Sequence, residues 1–199
     1  MSGWTDLSFL ERPVLEVAPL LLGAELRHGE VAVRLTEVEA YDGANDPASH
    51  AFRGETPRSS VMFGPAGHLY VYFTYGMHHC CNVVTGTVGT ASAVLVRAGE
   101  VVDGIEIARS RRPGAPDRDL ARGPARLCRA LGIDLSHNRV DLGAGDLALL
   151  PADPAPAPAI SSGPRVGVRR GADLPWRFWL QGDPTVSMYR PATARRAAR

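Results

Sequence analysis

The alternation of apolar and polar positions along the chain predicts several strands and two helices. Residues 14–22 form an apolar run that ends at Gly23, which is typical of a short helix, although Pro19 lies within it. Gly76 separates two aromatic and β-branched runs, which predicts a β-hairpin with Tyr75 and Gly76 at its tip. The segments with a strand-like pattern are residues 31–41, 68–75, 77–86 and 91–100, with shorter runs at 165–169 and 176–182.

Two segments between these runs indicate loops, and one indicates a second helix. Residues 42–67 are polar, rich in glycine and proline and without periodicity, which predicts a long loop of the kind that often carries function. Residues 151–164 have the composition of a linker, but too few residues follow for another domain, so we interpret them as an internal loop. Gly123 and Pro124 precede the segment ARLCRAL and Gly132 follows it, as expected for the first turn and the end of a helix.

Composition narrows the class of protein. With 45% hydrophobic and 22% charged residues, the 199-residue chain is expected to fold as one domain, residues 1–199, with a disordered tail at 190–199. No apolar run approaches the roughly 18 residues of a membrane span, and the first residues lack the basic region of a signal peptide. Three cysteines, two of them adjacent, fit a reducing compartment. We therefore expect a cytoplasmic protein that does not contact membranes.

The basic residues carry two further constraints. All 22 of them are arginine, which excludes Schiff-base chemistry on a lysine, a pyridoxal-phosphate lysine and a Walker-type phosphate loop. Residues 1–96 hold 5 arginines against 10 acids, whereas residues 97–199 hold 17 against 11. The basic half is either a surface that binds phosphates or a solvated face, and charge alone does not decide between them.

Glu39 is the first candidate for chemistry. In a regular strand it shares one face with apolar residues, and burial there would raise the pKa of its carboxyl group towards the range of a general base. The alternative is a solvated carboxylate at a sheet edge, and the same alternative applies to Glu37. The residues expected on this face are Val31, Val33, Leu35, Glu37, Glu39 and Tyr41.

The aromatic residues and the His-Cys cluster are the other candidates. Four of the five tyrosines, at positions 41, 70, 72 and 75, form either core or a stacking surface for bases, and an exposed tyrosine at a hairpin tip could enter a base stack.

The sequence His78-His79-Cys80-Cys81 resembles a metal site only superficially, because consecutive strand residues point to opposite faces. No second Cys/His pair has zinc spacing, so we expect no metal and no other cofactor.

Several longer motifs together resemble one family. The sequence is similar to the 3-methyladenine (alkyladenine) DNA glycosylases, the mixed α/β type without a helix-hairpin-helix, from about residue 13 to residue 189. The resemblance implies an α+β fold, a single compact domain with a curved, mainly antiparallel β-sheet flanked by helices. The motifs that carry it are EVEAYDG (37–43), SH (49–50), TPRSSVMFGPAGHLYVYFTYGMHHCCNVV (56–84), VLVRAGE (94–100), LARGPARLCRALGI (120–133) and RVGV (165–168).

The resemblance also implies roles for individual residues. Tyr41 and His50 would stack on one side of a flipped-out base and Tyr72 on the other. Asn82 would line the pocket floor and disfavour the amino group of guanine, and Tyr75 would intercalate into the DNA. Glu39 would be the catalytic acid/base that activates water, and Arg97 would help to hold that water and the phosphate of the target nucleotide.

The implied function is monofunctional excision of alkylated or deaminated purines in base excision repair, without lyase activity. The partner would be double-stranded DNA with a damaged purine, bound by a monomer close to the nucleoid. Two alternatives remain open: a non-catalytic nucleic-acid-binding module with the same aromatic pocket, and a metal-dependent hydrolase that uses His78, His79 and Cys80. Glu39 favours the enzyme, because a pure binder gains nothing from an anion near phosphates. The preferred lesion, among 3-methyladenine, 7-methylguanine, hypoxanthine and ethenoadenine, also remains open.

Overall fold

The computed structural model describes residues 5–74, 76–152 and 159–192, and an antiparallel sheet organises this part of the chain. The element bounds are α1 (Val14–Leu20), β1 (Glu25–His28), β2 (Val31–Tyr41), β3 (Leu69–Thr74), β4 (His78–Val84), β5 (Ala93–Asp103), α2 (Ile105–Arg111), α3 (Pro124–Leu131), β6 (Leu147–Leu150), β7 (Ile160–Gly163) and β8 (Arg177–Leu180). The strands run in the order β3-β4-β5-β2-β1-β6; β8 also pairs with β2, and β7 pairs with β8.

The core lies between the sheet and the helices, which confirms the α+β prediction. The apolar side of α1 packs against β2 through Val17 and Ala18, and α3 packs against β4 and β5 through Leu127 and Leu131. Pro19 is tolerated near the end of α1, and Gly132 ends α3 in the left-handed conformation that favours glycine (φ +73°).

Most of the predicted elements are confirmed. Both predicted helices, the four longer strands and the strand at 176–182 are present, and β3 and β4 form the expected hairpin. Residues 42–67 contain no strand or α-helix, only short 3-10 turns. Four short elements, α2, β1, β6 and β7, were not predicted, because four to seven residues are too few for a clear period. Tyr75, residues 153–158 of the linker-like segment and residues 193–199 of the tail lie outside the described residues.

The expected face of β2 is wrong beyond Leu35. Thr36 is an extra residue between the pairs Leu35–Gly99 and Glu37–Ala98, which makes it a β-bulge. An extra residue reverses the alternation of side chains, so Val38, and not Glu37, continues the apolar face. Glu37 and Glu39 therefore face away from the main core. Both are fully buried all the same, because the turn at Val166 and the segment at Ser187 contact them on this face of β2.

The predicted strand at residues 165–169 is also wrong. This segment is a turn in which Gly167 has a left-handed backbone (φ +71°), a conformation that a strand does not accommodate. The Arg165 side chain is buried and donates to the Ala40 carbonyl oxygen of β2 at 2.9 Å. The alternating apolar residues therefore belong to a turn, and the Arg165 side chain fixes this turn to the sheet.

No helix among the described residues is both long enough and apolar enough to cross a lipid bilayer.

Candidate active site

Two hydrogen bonds and one ion pair hold the Glu39 carboxylate in place. Its Oε1 accepts a hydrogen bond from the Val166 backbone N–H at 2.7 Å, and its Oε2 accepts one from the Tyr41 hydroxyl at 2.9 Å. Nη1 of Arg97 lies 3.3 Å from Oε2. Glu39 itself is fully buried, and all three residues that contact its carboxylate line a cavity of about 320 Å³. The carboxylate therefore lies directly behind one wall of this cavity.

Another part of the cavity wall is aromatic. Nδ1 of His50 lies 3.0 Å from the Tyr70 hydroxyl oxygen, and the His50 ring meets the Tyr72 ring edge-on at 4.7 Å. The rings of Tyr70 and Tyr72 lie 5.6 Å apart, as expected for residues on one face of β3. Asn82, opposite Tyr70 in the β3–β4 register, donates from Nδ2 to the Tyr70 carbonyl oxygen at 3.0 Å and is buried.

The structure thus brings most of the predicted site residues to one cavity. Those that line it are Tyr41, His50, Tyr72, Asn82 and Arg97, with Glu39 behind the wall. The long loop at residues 42–67 supplies His50 and also Arg58, whose guanidinium lies 5.2 Å from the centre of the Tyr72 ring. Tyr75 lies outside the described residues, so its predicted role stays a prediction.

Local electrostatics set the protonation of the cavity walls. Burial, followed by the nearby charge of Glu39, raises the pKa of Tyr41 well above its usual range, so its hydroxyl remains a donor to Glu39. Burial also raises the pKa of Tyr72. Desolvation, with a smaller contribution from Arg58, lowers the pKa of His50, so its ring is neutral at pH 7.

An internal ion pair supports Tyr41 and the turn that carries Val166. The Arg165 guanidinium binds the Asp46 carboxylate with two hydrogen bonds, at 2.5 and 2.8 Å, and both side chains are fully buried. The same guanidinium lies 4.6 Å from the centre of the Tyr41 ring and 5.1 Å from that of Trp176. Sequence reasoning missed this pair, because a buried arginine and a surface arginine have the same sequence signal.

Glu37 is the other residue that sequence reasoning missed. A solvated carboxylate was one expectation for it, but the side chain is fully buried and bonded to Arg97, Arg177 and Ser187. The only sequence feature that could have indicated this burial is the position of Glu37, two residues before Glu39 on a strand predicted to be half-buried.

A second, basic cleft adjoins the aromatic cavity. Its volume is about 300 Å³, and it shares Arg97 and Val166 with the first cavity. The remaining arginines that line it are Arg122, Arg126 and Arg190. Part of this charge is neutralised locally, since Arg122 and Arg126 lie 3.3 and 3.9 Å from the Asp119 carboxylate. Elsewhere in the basic half, Arg109 pairs with Glu106 and Asp117.

The His-Cys sequence is split between surface and core. His78 is exposed, whereas Cys80 and Cys81 are buried, and only Cys80 lines the aromatic cavity. Burial raises the pKa of the Cys80 thiol to about 11, so it stays protonated. Among the described residues, no three His, Cys, Asp or Glu side chains come close enough together to hold a metal ion.

An enzyme that removes a base from DNA needs an aromatic cavity for the extruded base and a carboxylate beside it, and the cavity in front of Glu39 meets both requirements. The chain belongs to the methylpurine-DNA glycosylase family, whose model matches residues 8–184. It is thus a DNA glycosylase, a hydrolase of N-glycosyl bonds.

Three relatives have similar sequences and the same provisional name, 3-methyladenine DNA glycosylase. The one from Streptomyces avermitilis is 55% identical over 197 residues, which cover 94% of this chain and 92% of the relative. The one from Nocardia farcinica is 60% identical over 178 residues, which cover 85% of this chain and 84% of the relative. The one from Frankia casuarinae is 53% identical over 197 residues, covering 93% and 92%.

Proposed function

We propose that this protein excises alkylated and deaminated purines from double-stranded DNA by hydrolysis and does not cleave the strand. Among the alkylated purines, 3-methyladenine is the lesion against which the others are compared. The observation that carries the proposal is the arrangement of Glu39, which three cavity-lining groups hold directly behind the wall of an aromatic cavity. The names of the relatives supply the reference lesion.

The aromatic cavity would hold a purine that has left the base stack. Extruding a base from a duplex costs a few kcal/mol, least for a damaged or mispaired base. Stacking on an aromatic ring returns roughly 1–3 kcal/mol per base, and a cationic alkylpurine gains about 0.5–2 kcal/mol more from tyrosine faces. Tyr41, His50 and Tyr72 would provide the stacking, and Asn82 would disfavour the amino group of guanine. Tyr75 would fill the space that the base leaves in the duplex.

The chemical step uses Glu39 as the proton acceptor. A water oxygen forms a bond to the sugar C1′ while the C1′–N bond breaks, and the bonding electrons leave with the base. The Glu39 carboxylate first stabilises the oxocarbenium-like charge that develops on the sugar. It then takes the proton from the water. Arg97, which lines both the cavity and the basic cleft, would hold the water and a phosphate of the target nucleotide.

A lesion panel tests this function directly. The protein is incubated with otherwise identical duplexes that contain 3-methyladenine, 7-methylguanine, hypoxanthine or ethenoadenine, and free base is measured by chromatography. We expect release from at least the 3-methyladenine duplex and none from the undamaged duplex. Tight binding to lesion duplexes without release of any base would support the non-catalytic binding module instead.

Excision should leave the strand intact, with an abasic site. Strand cleavage by a bifunctional glycosylase needs an amine that attacks C1′ and forms a Schiff base, and the sequence contains no lysine. Arginine does not substitute, because its guanidinium stays protonated. We expect that borohydride added during turnover traps no protein–DNA adduct and that the strand breaks only after alkali. A lysine-dependent bifunctional glycosylase in the same assay is the positive control, and a trapped adduct would contradict hydrolysis by water.

A further inference from the structure

Glu37 accepts four hydrogen bonds, although it lies behind the wall of the cavity. Its Oε1 accepts hydrogen bonds from Nε of Arg97 at 2.8 Å, from Nε of Arg177 at 2.7 Å and from the Ser187 hydroxyl at 2.9 Å. Its Oε2 accepts one from the Ser187 backbone N–H at 2.6 Å. Burial by itself raises the pKa of Glu37, but Arg97, Arg177 and Ser187 outweigh burial and keep it below the usual value. Glu37 is therefore an anion at neutral pH.

Arg97 connects Glu37 to the reacting part of the site. It is an extra residue on β5, between the pairs Glu37–Ala98 and Val38–Val96, and such a bulge redirects a side chain. Its Nε bonds Glu37 at 2.8 Å, whereas its Nη1 lies at 3.3 Å from Glu39. A guanidinium is planar and rigid, so fixing Nε fixes the direction of both terminal nitrogens. The shorter bond to Glu37 thus determines how closely Arg97 approaches Glu39.

We propose that Glu37 is a positioning residue for base excision, which acts by holding Arg97 beside Glu39 without letting it close onto that carboxylate. This inference rests on the proposed function. The two carboxylates and the guanidinium groups of Arg97 and Arg177 form a balanced set of four buried charges. With Glu37 present, Arg97 divides its charge between two anions, and Glu39 keeps capacity to accept a proton from water.

Loss of the Glu37 charge should change this division. In E37Q, Glu39 is the remaining carboxylate next to Arg97, so the guanidinium moves towards it and forms a tighter ion pair. Such a pair competes with the water for the carboxylate and withdraws Arg97 from the cleft that it lines. A displacement of about 1 Å in a reacting group can lower a rate on the order of 10²-fold.

The test measures the single-turnover rate of base release separately from binding. At saturating protein, we expect E37Q to lower the rate constant by about 10²-fold. The Kd for lesion duplex, measured by fluorescence anisotropy, should change by less than about threefold, because the aromatic walls and the other arginines of the basic cleft, Arg122, Arg126 and Arg190, are unchanged. L149A is the control for a general loss of stability. Leu149 is fully buried in β6, at the other end of the sheet from β3, so its replacement should lower the melting temperature with little effect on the rate.

A double-mutant cycle separates positioning from a structural role. If Glu37 acts through Arg97, E37Q should lower the rate by less than about threefold in an R97Q background. In an R177Q background, the effect of E37Q on the rate should persist. The reason is that Arg177 contacts Glu37 without involving Glu39, so its loss leaves the link from Glu37 through Arg97 to Glu39 in place. The variant E37Q/R177Q also removes one charge of each sign, and it replaces E37Q in the test if the single variant does not fold.

Two outcomes would overturn the inference: an E37Q rate equal to that of the unaltered protein, or effects of E37Q and R97Q that multiply independently. Failure of the unaltered protein to release any base would instead refute the proposed function, so the two failures are distinguishable.

Discussion

Replacing Glu39 by glutamine is expected to abolish base excision while binding to lesion duplex stays nearly unchanged. Glutamine preserves the shape of the side chain, and its amide oxygen can still accept the hydrogen bond from Val166, but it cannot take a proton from water. General-base catalysis is typically worth 10²–10⁴-fold in rate, so a loss of about that size is expected in single-turnover release of the base. The aromatic walls that would bind the base are not altered.

E100Q is the matched control for this variant. Glu100 lies on β5 and pairs with Arg34 at the surface, where the side chain of Glu100 is 50% exposed. The same chemical change there should leave the rate and the Kd as they are. An E39Q rate within about threefold of the unaltered protein would show that the carboxylate does not act in the reaction.

The second large effect is expected on stability, from replacement of Arg165 by methionine. The change leaves the Asp46 carboxylate fully buried without its partner, and removal of one member of a buried ion pair costs about 3–5 kcal/mol. It also removes the hydrogen bond to the Ala40 carbonyl oxygen that fixes the turn next to Val166. We expect the free energy of unfolding, measured with urea, to fall by this amount.

The exposed ion pair between Arg12 and Glu16 provides the comparison. Its N–O distance of 2.6 Å is similar, but both side chains are about half exposed (52% and 51%), so R12M should cost less than about 1 kcal/mol. Equal, small losses for R165M and R12M would show that the internal pair does not stabilise the turn.

The sequence predicted the elements that are long enough to show a period. The strand at 31–41, the hairpin around Gly76 and the helix from Pro124 follow from local patterns, because alternation and capping residues act over a few positions. Resemblance to a family supplied the set of candidate site residues, and the structure places those it describes at one cavity. Their roles in the reaction remain predictions until the variants are measured.

What the sequence by itself determined was thus the longer helices and strands, the absence of a lysine amine and the identity of the candidate groups. Only the tertiary structure decided how those groups are supported. The bulge at Thr36 exists because β2 pairs with β5, and it directs Glu37 and Glu39 away from the apolar face that regular alternation predicts. The partners of Glu37 lie 60, 140 and 150 residues away in the chain, and Arg165 lies 119 residues from Asp46. Contacts over such separations leave no periodic signal, because they depend on where the folded strands and turns meet.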